Sequence, residues 1–188
     1  MWVQMYQFLM VGVLYAQDNG KIQKTNNTVA NNHLNFRMGY STATTNGRPT
    51  LCLEGKVSPK GAIEACGTGY GFVHRDLGTD FVHFRAKWGV FKRHFSSSQL
   101  QGQMGAGFAE IQLGADELGF QFGGTEEGIE TAGPEVSASV QFIQSFGKQT
   151  ELVVDVNGGT AYFHHGPDLV VPQNRVYPFV EVSAGLGW

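Results

Sequence analysis

Charge is scarce in this chain of 188 residues, with only 15% Asp, Glu, Lys and Arg. An ordinary soluble domain carries about 25%. The formal net charge of −3 offers no basic surface to a phosphate backbone, so nucleic acid is excluded as an expected partner. Long apolar runs are also missing. No stretch reaches the roughly 18 residues of a membrane-crossing helix, so this chain can span a bilayer only with strands. Cysteine is limited to Cys52 and Cys66. Neither has a second Cys or a His at ligand spacing, so the sequence predicts no metal site, and nothing in it calls for a cofactor.

What the chain has in quantity is glycine (26) and aromatic residues, with 14 Phe, 6 Tyr and 3 Trp. The first residues read as a targeting segment. Phe8–Ala16 is a short apolar core, and the polar Gln17-Asp18-Asn19-Gly20 follows a small residue at the expected cut. Met1–Gln7 lacks the usual Lys or Arg, and a buried strand or short helix is the alternative reading. The expected division is a signal peptide over 1–16, a polar, Asn-rich linker over 17–33 and one β-domain over 34–188.

From Leu34 onward the hydrophobic period is two. In Phe81–Val90, Val82, Phe84, Ala86, Trp88 and Val90 share one face, and His83, Arg85 and Lys87 share the other. Val136, Ala138, Val140 and Phe142 alternate with Glu135, Ser137, Ser139 and Gln141. Leu152, Val154 and Val156 alternate with Glu151, Val153, Asp155 and Asn157. Leu100, Met104, Ala106 and Phe108 form a further apolar row, which Glu110 and Gln112 interrupt; a bulge or exit from an apolar layer would explain the break. Leu34–Thr42, Pro49–Val57 and Ala62–Val73 read as weaker strands. Alternation alone fits a soluble barrel with an apolar core as well as a membrane barrel with an apolar exterior.

The C-terminus separates the two. The chain stops at Trp188, and Leu186, Ala184, Val182 and Val180 precede it at every second position. Such a strand resembles the signal that outer-membrane barrels present to the barrel assembly machinery. The connections agree with a periplasmic N-terminus: the two longest, Gly114–Gly133 and His164–Arg175, fall on the outer side, and short turns at Ser58–Gly61, Lys92–Ser98 and Phe146–Gln149 fall in the periplasm. The expected fold is therefore all-β, an eight-stranded antiparallel up-and-down transmembrane β-barrel in the bacterial outer membrane, with lipid and lipopolysaccharide as its surroundings.

Charges in so narrow a lumen are expected to pair. His83, Arg85 and Lys87 would meet Glu135, Glu151 and Asp155 across the interior as a structural plug. A hairpin turning at Ser58-Pro59-Lys60-Gly61 would set Cys52 opposite Cys66. A disulfide there suits an oxidising compartment, and two unpaired thiols are the alternative. The acidic residues Asp116, Glu117, Glu126, Glu127 and Glu130 read as a solvated loop, since their spacing matches no defined cation loop.

The stretch Tyr162-Phe163-His164-His165-Gly166-Pro167-Asp168 could supply a base at a strand-to-loop junction, with Glu181 in the next strand as the carboxylate that orients it. With Gly105-Ala106-Gly107-Phe108-Ala109-Glu110 and the terminal Gly185-Leu186-Gly187-Trp188, this half of the chain resembles the lipid A 3-O-deacylase family, the acyloxyacyl hydrolases. The resemblance covers roughly 102–188. It implies an eight-stranded outer-membrane barrel that removes an ester-linked acyl chain from lipid A, with His165 as base and Glu181 completing the triad. Pro167 stands where the family has its nucleophilic serine, and Asp168 where it has asparagine. Three functions follow as expectations: a deacylase-like esterase, a non-catalytic envelope barrel binding through its outer loops, or a soluble, lipocalin-like carrier with the apolar face inside.

Overall fold

The computed structural model describes residues 34–44, 48–68, 78–114, 120–146 and 149–188. The expected signal and linker, with Asp116 and Glu117, lie outside these residues. Eight antiparallel strands form a closed barrel in sequence order: β1 (Leu34–Ser41), β2 (Pro49–Lys56), β3 (Gly61–Gly67), β4 (Thr79–His94), β5 (Ser98–Leu113), β6 (Glu130–Phe146), β7 (Thr150–Tyr162) and β8 (Val176–Gly187). Closure is made by β1 against β8, from Asn35 opposite Gly187 to Ser41 opposite Glu181. It removes the free edges that an open sheet would carry. The three short turns share one end of the barrel and the long connections the other.

Side-chain polarity is inverted relative to a water-soluble barrel. Val180, Val182, Leu186 and Trp188 are each about half exposed, as are Phe84, Trp88, Met104 and Val136, whereas Arg37, Arg85 and Lys87 are at most 2% exposed. Apolar rows that face outward have a favourable solvent only if that solvent is hydrocarbon. The lipocalin-like alternative needed the opposite arrangement and fails here.

The lumen is layered. At the long-loop end, Phe81, Ile111, Phe163, Leu169 and Phe179 pack into an apolar plug. A charged layer lies below it. Towards the short-turn end, Gln101 donates to Gln141 at 2.5 Å and Gln99 to Gln101 at 3.0 Å. Side chains thus fill the middle of the bore, as expected for eight strands, and the short-turn end keeps an open cleft of about 270 Å³ beside Lys56, Ala62, Gln101 and Gln103. Small inward residues make room at the seam. A Cβ on Gly185 would stand 1.9 Å from the Phe36 carbonyl oxygen, and one on Gly39 would stand 2.0 Å from that of Val182.

The interruption at Glu110 and Gln112 has a different cause from the expected bulge. Pairing of β5 with β4 and β6 is regular there, and the register shift lies between Gly89 and Phe91. Phe91 then lies across Gly102, filling the place of its missing side chain. Glu110 and Gln112 are buried because the loop after β5 folds back on the sheet. Gln121 N–H donates to Glu110 Oε1 at 2.6 Å, Ala132 N–H donates to the Gln121 carbonyl at 3.0 Å, and Phe122 packs edge-on against Phe108. The same loop divides the acidic group read from the sequence: Glu126 and Glu127 are exposed and Glu130 is buried.

Candidate functional site

The alternation that points apolar residues outward sends every second residue of the eight strands into one narrow lumen. Glu64 of β3 is the hub of the charged layer. It pairs closely with Arg37 of β1, accepts from Arg85 Nε at 2.6 Å and accepts from Lys87 Nζ at 3.0 Å. Glu54 of β2 accepts from Lys87 at 2.9 Å and from Arg37 at 3.3 Å. Asp155 of β7 meets Arg37 at 3.0 Å and Lys87 at 3.3 Å. Glu135 of β6 accepts from Arg85 Nη1 at 3.0 Å. The neutral amide of Gln141 donates to both Glu54 and Asp155 at 3.3 Å. Arg37, Glu54, Glu64, Arg85, Lys87 and Asp155 are thus each held by at least two opposite charges, the condition under which buried ions are tolerated.

Of the charges expected in the lumen, the structure brings together His83, Arg85, Lys87, Glu135 and Asp155. Glu151 is buried but lies nearer the short-turn end, with Ser145 Oγ 3.4 Å away. Sequence reasoning missed Arg37, Glu54 and Glu64. The signal was there, since Asn35, Arg37 and Gly39 alternate with Phe36, Met38 and Tyr40. In β2 and β3, Glu54 and Glu64 each stand two residues from a cysteine on the same face.

Above this layer, Cys52 and Cys66 face each other across β2 and β3 and are joined by a disulfide. Glu181 of β8 approaches from the far side of β1, with Oε1 3.1 Å from Cys52 Sγ. His83 of β4 stands beside Cys66. Its Nδ1 lies 3.3 Å from Glu135, and its Nε2 lies 3.9 Å from Glu64 and 4.0 Å from Glu181. The rings of Phe81 and Phe179 close over His83 at 5.6 and 5.9 Å.

The expected catalytic pair is not assembled. β7 and β8 part at Tyr162 opposite Val176, and Glu181 is paired with Asn157 further down. Five residues of strand separate Glu181 from that rim, about 17 Å at the rise of a β-strand. His165 is instead on the surface, with Nδ1 3.2 Å from Asp168 Oδ2. Pro167 lies in the 3-10 turn Gly166–Asp168 between them. The cleft beside this pair, bounded by Gly124, Thr125, Gly128 and Glu130, holds about 50 Å³, well below the ~300 Å³ and more of a small-molecule site.

No protein-family model matches the chain, and no curated protein matches it. Solved structures similar to it include the N-terminal β-barrel domain of OprF from Pseudomonas aeruginosa, at 7% identity over 84% of this chain and 98% of that one, TM-score 0.45. Neisserial surface protein A is 10% identical over 82% and 93%, with a TM-score of 0.43. The outer membrane protein AlkL, solved in lipid bilayers, is 12% identical over 90% and 94%, with a TM-score of 0.35.

Proposed function

We propose that this protein is an outer-membrane β-barrel whose role is non-catalytic. It holds a rigid, ion-filled cylinder in the envelope and presents the loops after β5 and β7 to lipopolysaccharide or another surface ligand. The observation that carries this reading is the inverted polarity: apolar rows outside, paired charges within. A bore filled across its middle supports a structural or binding role over a pore. The surface pair His165 and Asp168 has Pro167 in the matched nucleophile position and Glu181 far below it, which favours binding over ester hydrolysis.

Two measurements test the reading. The folded protein should require detergent for extraction and should shift in electrophoretic mobility on heating; a protein that stays in aqueous solution without detergent would refute the membrane assignment. Lipid A from cells with and without the protein should give the same acyl pattern by mass spectrometry. Loss of one ester-linked acyl chain in the presence of the protein would restore the deacylase reading.

A further inference from the structure

Cys52, Cys66, His83 and Glu181 come from four different strands, yet each offers a ligand atom within 4.8 Å of the others. All four are buried. Their spacings of 14, 17 and 98 residues resemble no metal motif; neighbouring strands set Cys52, Cys66 and His83 side by side, and closure of the barrel brings Glu181 to them. We propose that in its dithiol form the barrel holds a thiophilic divalent cation of the zinc type on these four residues, and that the Cys52–Cys66 disulfide is the alternative, metal-free state of the same site.

The donor set suits such an ion. Two thiolates, one imidazole and one carboxylate make a four-coordinate S₂NO shell of the kind zinc accepts. A second observation points to a ligand independently of the cysteines. Nε2 of His83 and Oε2 of Glu181 are buried without a hydrogen bond, although buried polar groups are nearly always satisfied. Further unsatisfied polar atoms lie on neighbouring inward positions: the amide of Asn157, opposite Glu181, and the hydroxyl of Ser183, two residues along β8. The apolar plug above shields the site, and Glu135, 3.3 Å from His83 Nδ1, is placed to orient the ring once Nε2 is a ligand.

The two states balance. The chain is synthesised with two thiols, so metal binding before the bridge forms needs no reductant. Each thiol loses its proton as its sulfur bonds to the cation, and the two new negative charges cancel the ion's two positive ones. Bridge formation instead removes two electrons and two protons from the thiol pair, passed by exchange to the disulfide of a thiol oxidoreductase. Both states leave the site's net charge the same, so the charged layer below is compatible with either.

Cobalt(II) is the probe, since its spectrum reports both sulfur ligation and tetrahedral geometry. The full chain is folded in detergent with a phosphine reductant and titrated with Co²⁺, with the heat-dependent mobility shift confirming folding. The reduced protein should bind one ion per chain, with thiolate-to-cobalt absorption in the near ultraviolet. The bridged protein and the Cys52→Ser/Cys66→Ser variant should show neither. His83→Gln should weaken binding by at least about tenfold, since loss of an outer-shell partner alone costs that much. Reduced, folded wild type that binds no more Co²⁺ than the double serine variant would overturn the proposal. If that variant does not fold, His83→Gln in the reduced barrel provides the comparison, and binding equal to wild type overturns it equally.

Discussion

Replacing Glu64 with alanine should destabilise the folded barrel by about 3–5 kcal/mol, the scale seen when one partner of a buried ion pair is removed. The cost follows from what the carboxylate touches. Arg37, Arg85 and Lys87 all bond to it, and all three are buried. Without Glu64 each cation keeps only part of its compensation while remaining buried among the other side chains of the layer. Denaturant titration in detergent, followed by the mobility shift, measures the loss. Glu64→Leu combined with Lys87→Met should recover part of it, because removing a cation together with the anion leaves less charge unpaired. A Glu64→Ala protein within 1 kcal/mol of wild type, a bound below that same ~3–5 kcal/mol scale, would mean that the layer contributes little to stability.

The second large effect concerns the outside. Val182 is the middle residue of the outward row from Val176 to Trp188 and is 50% exposed. It stands between Tyr40 and Val156 on the neighbouring strands. Val182→Arg should cost about 2–4 kcal/mol in a bilayer, the depth-dependent cost of a cation on the lipid face near the midplane. The same substitution on a water-facing sheet would cost a few tenths of a kcal/mol. Unfolding titrations in lipid vesicles separate the two. Glu127→Arg, on the exposed loop after β5, is the control and should leave the midpoint unchanged. Tolerance of arginine at 182 would refute the lipid-facing assignment directly.

The fold was legible where alternation was clean. In β4, β6, β7 and β8 the apolar and polar residues separate by parity, and the outward and inward rows follow from the sequence. In β2 and β3 the rows are short and mixed with Gly, Thr and Ala, so Glu54 and Glu64 did not stand out as lumen residues. Arg37 had a clear row around it, but a single cation in a short strand carries no signal of its partners. Glu110, Gln112 and Glu130 defied the pattern because a loop covers them, and loop placement is a tertiary fact with no period. The pairing of His165 with Glu181 rested on chain order and one position match; register decides it, because a strand carries five residues from rim to mid-lumen before Glu181 is reached. Glu181 shows the same limit from the other side: Cys52, Cys66 and His83 lie on consecutive paired strands, but Glu181 meets them only when the cylinder closes.

Arg37 and Asp155 lie on β1 and β7, and they join at 3.0 Å across β8, whose small inward residues Ser183 and Gly185 leave the way open. This bond cannot exist in a half-zipped sheet, because its two ends are then on opposite margins of the ribbon. The last strand to dock therefore completes the electrostatic lattice as well as the hydrogen-bond ladder. Insertion should accordingly be all-or-none: a ribbon short of its final strand leaves ions unmatched at the moment it would have to leave water, so partly zipped forms should not accumulate in the bilayer.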